Sequence, residues 1–245
     1  MIAAFAAALV LSLPAGAAPA PATDLSSARG LYDAGRYPEA AAEFAALAAA
    51  APRDAAIQYD LGDAQFKAGR IGPAVASFER AFALNPRDAD IRENLSYALG
   101  RAGEALVPAG TPPALFWLFT AASERELAGL HWLFAWAALL LAAAALAWPR
   151  RRAGLGTWAA VAAAAWAFFG LWWLGLRSVL PPNQGVVIEA KAELRHGPGD
   201  GFGVAFTVPE GRRVRVLGSS GAWLEVGLEK EGARGWIMAS AVERL

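Results

Sequence analysis

Apolar and polar positions follow four different patterns along the 245-residue chain. Residues 1–20 open with an unbroken apolar core from Ile2 to Leu13, a proline break at Pro14 and the small residues Ala15-Gly16-Ala17. Residues 24–104 mix apolar and charged positions in stretches of helical length, each closed by glycine or proline. Residues 127–148 are apolar except for His131, and 155–177 carry no ionisable group before the last residue, Arg177. Beyond Pro181-Pro182 the pattern shortens to alternating runs of four to seven residues separated by glycine-rich turns. The chain therefore reads as a series of segments with different surroundings rather than as one globule.

The two long apolar runs, at 1.5 Å per residue, are each about 33 Å long as helices, which matches a hydrocarbon core of about 30 Å. A buried helical hairpin in a soluble protein would pass the same length test. Against it, apolar residues run all the way round both helices, and Trp132, Trp148, Trp158, Trp172 and Trp173 lie near their ends, as at a bilayer interface. Between them, 149–154 form a tight turn holding Arg150, Arg151 and Arg152. Short loops rich in arginine stay in the cytoplasm, so both flanks are expected outside it, with Arg177 snorkelling to the outer interface. The N-terminal segment agrees: its apolar core and small residues resemble a secretory signal, cleaved before Ala18 or retained as an anchor because its n-region lacks Lys and Arg.

Within 24–104 the stretch AGRYPEAAAEFAALAAAAPRD aligns with AGRIGPAVASFERAFALNPRD at a constant offset of 34 residues. This puts Gly35 on Gly69, Ala40 on Ala74, Phe44 on Phe78 and Pro52 on Pro86. The period and the small–aromatic–proline spacing resemble the tetratricopeptide repeat (TPR). Each unit would be a helical hairpin: glycine turns the chain after the first helix, alanine allows close approach, phenylalanine fills the groove and proline stops the second helix. Leu61-Gly62 also fits the pattern, whereas the first unit has Ser27-Ala28 there. A third helix, 89–102, with Leu95 and Leu99 as packing residues, is expected to cap the stack. The resemblance implies a concave protein-binding face at Arg29, Tyr32, Tyr59, Asp63, Phe66, Asn94, Tyr97 and Arg101; the alternative for each is a solvated or packing residue.

Residues 105–126 read as a linker through Pro108–Pro113 followed by a juxtamembrane segment. In it, 113–122 are expected in the outer membrane interface, and Ser123 and Glu126 form a capping-box pattern. Residues 185–245 read as a small all-β barrel. The order LRHGPG, VPEGRRVRVLG, GAWLEV and GARGWI closely resembles bacterial SH3 domains, with Val214/Val216 and Trp223/Val226 as the expected core alternation. Trp223 and Trp236 either stack on a peptide ligand or pack at the rim. The resemblance implies peptide or cell-wall recognition.

Composition narrows the chemistry. Hydrophobic residues make up 56% of the chain, there is no cysteine, and the net charge is zero, with no strongly basic segment to hold nucleic acid. The two histidines, His131 and His196, have no nearby serine–acid pair or second ligand in sequence, and pairs such as Asp60/Asp63 read as solvated faces. No catalytic site, metal or cofactor is expected. The whole order, from signal through TPR helices and two-span hairpin to SH3-like barrel, resembles the BatE-type member of the Bat aerotolerance family. That resemblance implies a scaffold in an inner-membrane assembly with von Willebrand factor A-domain membrane proteins, associated with a MoxR-type ATPase and with oxygen or stress tolerance.

Overall fold

A computed structural model describes residues 25–108, 110–228 and 230–245. The signal segment expected at 1–20 lies outside the described residues. Five helices form the N-terminal part: α1 (Ser26–Asp33), α2 (Tyr37–Ala50), α3 (Ala55–Lys67), α4 (Ile71–Leu84) and α5 (Ala89–Arg101). Gly35 and Gly69 have φ of +74° and +79°, the left-handed conformation that lets the chain reverse after a first helix. The repeated PRD triplet does more than end a helix. Asp54 accepts hydrogen bonds from the amides of Ala56 (2.9 Å) and Ile57 (3.3 Å), and Asp88 from those of Asp90 (3.0 Å) and Ile91 (3.2 Å), so each aspartate caps the next unit's first helix. Ala40, Ala74, Phe44, Phe78, Leu95 and Leu99 are buried between the helices.

The segment expected to be a linker is packed. Thr111-Pro112-Pro113 starts a short helix, α6 (Pro113–Phe119), and Phe116 is fully buried, stacked on Phe82 with ring centroids 6.3 Å apart. Leu106 and Val107 lie against the same cluster. Proline and glycine at 108–113 mark where helical hydrogen bonding stops and, at Pro113, where it resumes; they do not report packing. Residues 113–119 thus face the protein through Phe116 while Leu115, Trp117 and Leu118 stay exposed.

Two long antiparallel helices follow, α7 (Glu124–Ala147) and α8 (Arg152–Val179), joined by a single 3-10 turn at Pro149–Arg151 with Arg150, Arg151 and Arg152 exposed. The basic turn is shorter than 149–154 because α8 already begins at Arg152. Both helices are long and apolar enough to cross a membrane. The soluble-hairpin alternative requires them to be buried, yet Leu140 and Leu146 on α7 and Leu171 and Leu174 on α8 are each at least 65% exposed. Ser123 and Glu126 form the capping box at the start of α7. Arg177 is not a lone charge: its guanidinium bonds Glu124 across the hairpin at 2.7–2.9 Å and lies over the Trp173 ring. His131 is held between the helices by Trp166, which donates its indole N–H to His131 Nε2 (3.1 Å) and offers its carbonyl to Nδ1 (3.2 Å). With Nε2 accepting from the indole, Nδ1 is the ring nitrogen that donates to the Trp166 carbonyl.

The C-terminal part is an antiparallel sheet of β1 (Gln184–Val187), β2 (Lys191–Arg195), β3 (Val204–Pro209), β4 (Arg213–Ser220), β5 (Trp223–Leu228), β6 (Ala233–Met238) and β7 (Val242–Arg244), in the order β3-β2-β6-β5-β4-β1-β7. Its inner face carries Leu194, Val208, Val214, Leu224, Val226, Leu228 and Ile237, with Val216 partly buried beside them. Trp223 is a correction: positions 223 and 226 have opposite parity on a strand, so only Val226 points inward and Trp223 lies half-buried on the other face. Strand β7 has no counterpart in the sequence pattern, because three residues are too few to show alternation.

The sheet and the helices share one core. Phe82, Leu99, Phe116, Val179 and Val186 belong to a single buried cluster that joins α4, α5, α6, the end of α8 and β1. Gly72, in the first turn of α4, meets the sheet so closely that a Cβ would lie 2.5 Å from the Val187 carbonyl oxygen and 2.9 Å from Ile188 Cα. Its amide donates to Glu210 Oε2 at 3.3 Å. Arg80 bonds Glu243 and the Arg244 carbonyl. Arg212 bridges Glu104 (2.6 Å) and Glu231 (3.3 Å), while Arg213 lies 3.6 Å from Glu79 and 3.5 Å from Glu104.

Three carboxylates thus face two guanidiniums at this junction, and Glu79 is the most buried of them. Burial pushes the Glu79 carboxyl above its ordinary value; Arg213 pulls it down and the Glu104 charge pushes it up again. A carboxyl raised on folding binds more protons folded than unfolded, so its contribution favours the folded state below the ordinary glutamate value and is lost as pH rises through the raised one. Glu79→Gln is therefore expected to raise the melting temperature at pH 8 relative to wild type and to leave it nearly unchanged at pH 4.5. Scanning calorimetry of the two proteins at both pH values checks this, and an equal difference at both would remove Glu79 as the titrating group.

Candidate functional site

The first helices α1, α3 and α5 line one face, and they bring the eight anticipated residues onto it. Seven of the eight are engaged across neighbouring helices, Arg101 being the exception among the described residues. Arg29 bonds Asp60 at 3.2 Å, the Tyr32 hydroxyl donates to Asp63, and Asn94 Nδ2 donates to the Tyr59 hydroxyl at 2.7 Å. Phe66 and Tyr97 pack ring to ring at 5.4 Å. Asp60 and Asp63 are therefore not the solvated acids expected from sequence: each ties α3 back to α1. Burial, the bond to Asp63 and the Asp63 charge push the Tyr32 hydroxyl well above its ordinary value. Burial and the surrounding aspartates, Asp63 first, push Tyr59 in the same direction. Both hydroxyls stay protonated near neutrality; Tyr32 spends its proton on Asp63, while Tyr59, which accepts from Asn94, keeps its own to donate.

At the C-terminal end of this face the character changes. A cleft of about 850 Å³ opens between α5 and the chain leading to α6, with Arg92, Tyr97, Arg101, Leu106 and Trp117 in its wall. The Arg92 guanidinium lies over the Trp117 ring at 5.5 Å. Sequence reasoning named Tyr97 and Arg101 but missed Arg92, Leu106 and Trp117. Leu106 and Trp117 come from outside the repeat, where no period could place them; the only signal was the cluster Phe116, Trp117, Phe119 in the segment 113–122 expected at the outer membrane interface.

Residues 31–93 match the tetratricopeptide repeat model, and residues 190–243 match the bacterial SH3 domain model. No curated protein matches the chain. The N-terminal helices and the C-terminal sheet are thus recognition domains of two known kinds, which points to an adaptor for protein or peptidoglycan partners.

The SH3 domain supplies the second candidate surface. Cross-strand partners Trp223–Met238 and Glu225–Trp236 put both tryptophans on the outer face of β5 and β6. Arg195, opposite Trp236 on β2, places its guanidinium 5.8 Å from the Trp223 ring centroid. It is fixed there by the carbonyls of Asp200 (2.8 Å) and Phe202 (2.9 Å). Phe202 and Met238 are exposed beside it. This aromatic face lies on β2, β6 and β5, whereas the repeats dock at β1, β7 and the start of β4, so docking leaves it open. Among the described residues no group of three His, Asp or Glu is placed to hold a metal ion.

Proposed function

We propose that the protein is a non-enzymatic adaptor anchored in the bacterial cytoplasmic membrane by α7 and α8, with its TPR and SH3 domains on the periplasmic side and the turn Arg150–Arg152 in the cytoplasm. The observation that carries this reading is the shared core: two recognition domains are fused to the same end of an apolar hairpin, opposite its basic turn. Positive charge at the short loop supports the orientation, and the apolar start of the chain supports export of the repeats. The order of parts supports a BatE-type scaffold in a Bat-type assembly. There the TPR face would hold von Willebrand factor A-domain membrane proteins, in a system serving oxygen or stress tolerance.

Capture of the tagged full-length protein from its native membrane, in mild detergent, tests this. The triple variant Tyr59→Phe, Asp63→Asn, Tyr97→Ala is expected to lose at least about tenfold of the co-purified A-domain protein, the effect of roughly 1.4 kcal/mol at the contact. Unchanged capture would remove the TPR face from the mechanism. The aromatic face at Trp223 and Trp236 favours one second reading, a peptidoglycan-binding protein that recruits a wall enzyme. In that case the full-length protein sediments with purified sacculi and Trp223→Ala with Trp236→Ala abolishes it; under the scaffold reading sedimentation is not required.

A further inference from the structure

The concave face divides into a part that satisfies itself and a part that does not. From α1 to the middle of α5, Arg29, Asp60, Tyr32, Asp63 and Asn94 are already engaged in the pairs Arg29–Asp60, Tyr32–Asp63 and Asn94–Tyr59. A partner binding there must first break bonds already made. At the α5 end, Arg92 and Arg101 flank the cleft without a carboxylate partner among the described residues, and Arg92 rests only against the Trp117 ring. Glu93 is the single carboxylate in the cleft wall, so the wall carries net positive charge. Between the two guanidiniums the surface is apolar and aromatic: Tyr97 is 59% exposed and Trp117 42% exposed, with Leu106 beside them.

We propose that this cleft, resting on the adaptor reading above, binds an acidic segment of a partner protein: two carboxylates separated by about four to six residues, with an apolar or aromatic anchor between them. The spacing follows from the helix. Arg92 and Arg101 are nine residues apart on α5, two and a half turns and about 13.5 Å of rise, so they leave opposite edges of the cleft and stand about 13.5–18 Å apart, which an extended chain covers in about four to six residues at roughly 3.3 Å each. Each guanidinium offers a bidentate fork to a carboxylate, and the aromatic floor takes the anchor. An acidic segment gains both contacts without disturbing the internal pairs at the other end. A basic segment would meet two like charges here and only one carboxylate, Glu93, in the cleft wall.

The test uses the full-length protein in nanodiscs and displayed random dodecapeptides as the probe. Recovered peptides are expected to share two Asp or Glu residues about four to six positions apart around a Leu, Phe or Trp. Arg92→Gln with Arg101→Gln is expected to weaken the recovered peptide about tenfold or more and to flatten its salt dependence. Arg53→Gln, a charge removed from the exposed turn before α3, should leave affinity within about twofold. Both arginines are outside the buried set, and unchanged thermal melting of the double variant separates lost binding from lost folding. Basic or uncharged peptides, or acidic ones that bind the arginine variant as well as wild type, overturn the proposal. If such peptides depend on Tyr59 and Asp63 instead, the adaptor reading stands while this site falls. Recovery of no peptide above empty nanodiscs counts against both.

Discussion

Gly72→Leu is expected to detach the SH3 domain from the repeats while leaving α4 helical. At Gly72 a Cβ alone would lie 2.5 Å from the Val187 carbonyl oxygen and 2.9 Å from Ile188 Cα, and both obstacles are backbone, which cannot rotate aside. The helix itself would favour leucine over glycine, by somewhat less than the roughly 0.8–1.0 kcal/mol that separates alanine from glycine, so any destabilisation comes from the junction. Opening it exposes Val186 and breaks the bond from the Gly72 amide to Glu210 and the Arg80–Glu243 pair. It also leaves Glu79 without Arg213. Overpacking of a filled site typically costs about 1–3 kcal/mol, and the ion pairs are lost in addition. Limited proteolysis is the readout: cleavage is expected in 180–185 for the variant and not for wild type. Equal resistance of the two would show that the junction tolerates the side chain.

Phe116→Ala is expected to destabilise the repeats by about 3–5 kcal/mol, the usual range for emptying a buried phenylalanine site. Phe116 is fully buried and lies parallel to Phe82, at a point where α4, α5 and α6 meet. No neighbouring segment is free to collapse into the space, because α6 is tied to α8: the Trp172 indole donates to the Phe119 carbonyl at 3.3 Å. Thermal unfolding of the two proteins in the same detergent measures the loss. Phe116→Leu, which keeps most of the volume, is expected to recover the larger part of it. An alanine variant that melts within about 0.5 kcal/mol of wild type would mean that α6 is peripheral to the repeat core.

How much of this was legible in the sequence depends on whether a feature is periodic. The 34-residue offset identified Gly35, Gly69, Phe44 and Phe78, and each occupies the place its type requires. Alternation and glycine turns found six of the seven strands, but misread Trp223 because its partner in the pattern was chosen three positions away. The features that govern the molecule's behaviour are contacts between segments, which no period records. Gly72 resembles any helical glycine until Val187 is placed against it; Arg212 and Arg213 resemble a strand's basic edge until Glu79 and Glu104 face them. The eight anticipated groove residues were found together, but their pairing with each other, and the resulting shift of the open surface toward Arg92 and Trp117, required the fold.

The absence of cysteine makes a direct test of the fused arrangement simple, because two introduced cysteines can be spin-labelled without background. Arg53→Cys, in the turn before α3, and Ser219→Cys, near the end of β4, are both exposed and lie on opposite sides of the junction. Pulsed electron–electron distance measurement on the full-length protein in nanodiscs should give one narrow distribution, broadened by Gly72→Leu. A broad or multi-peaked distribution in the wild-type background would contradict the shared core and would make the TPR and SH3 domains independent modules on a common anchor.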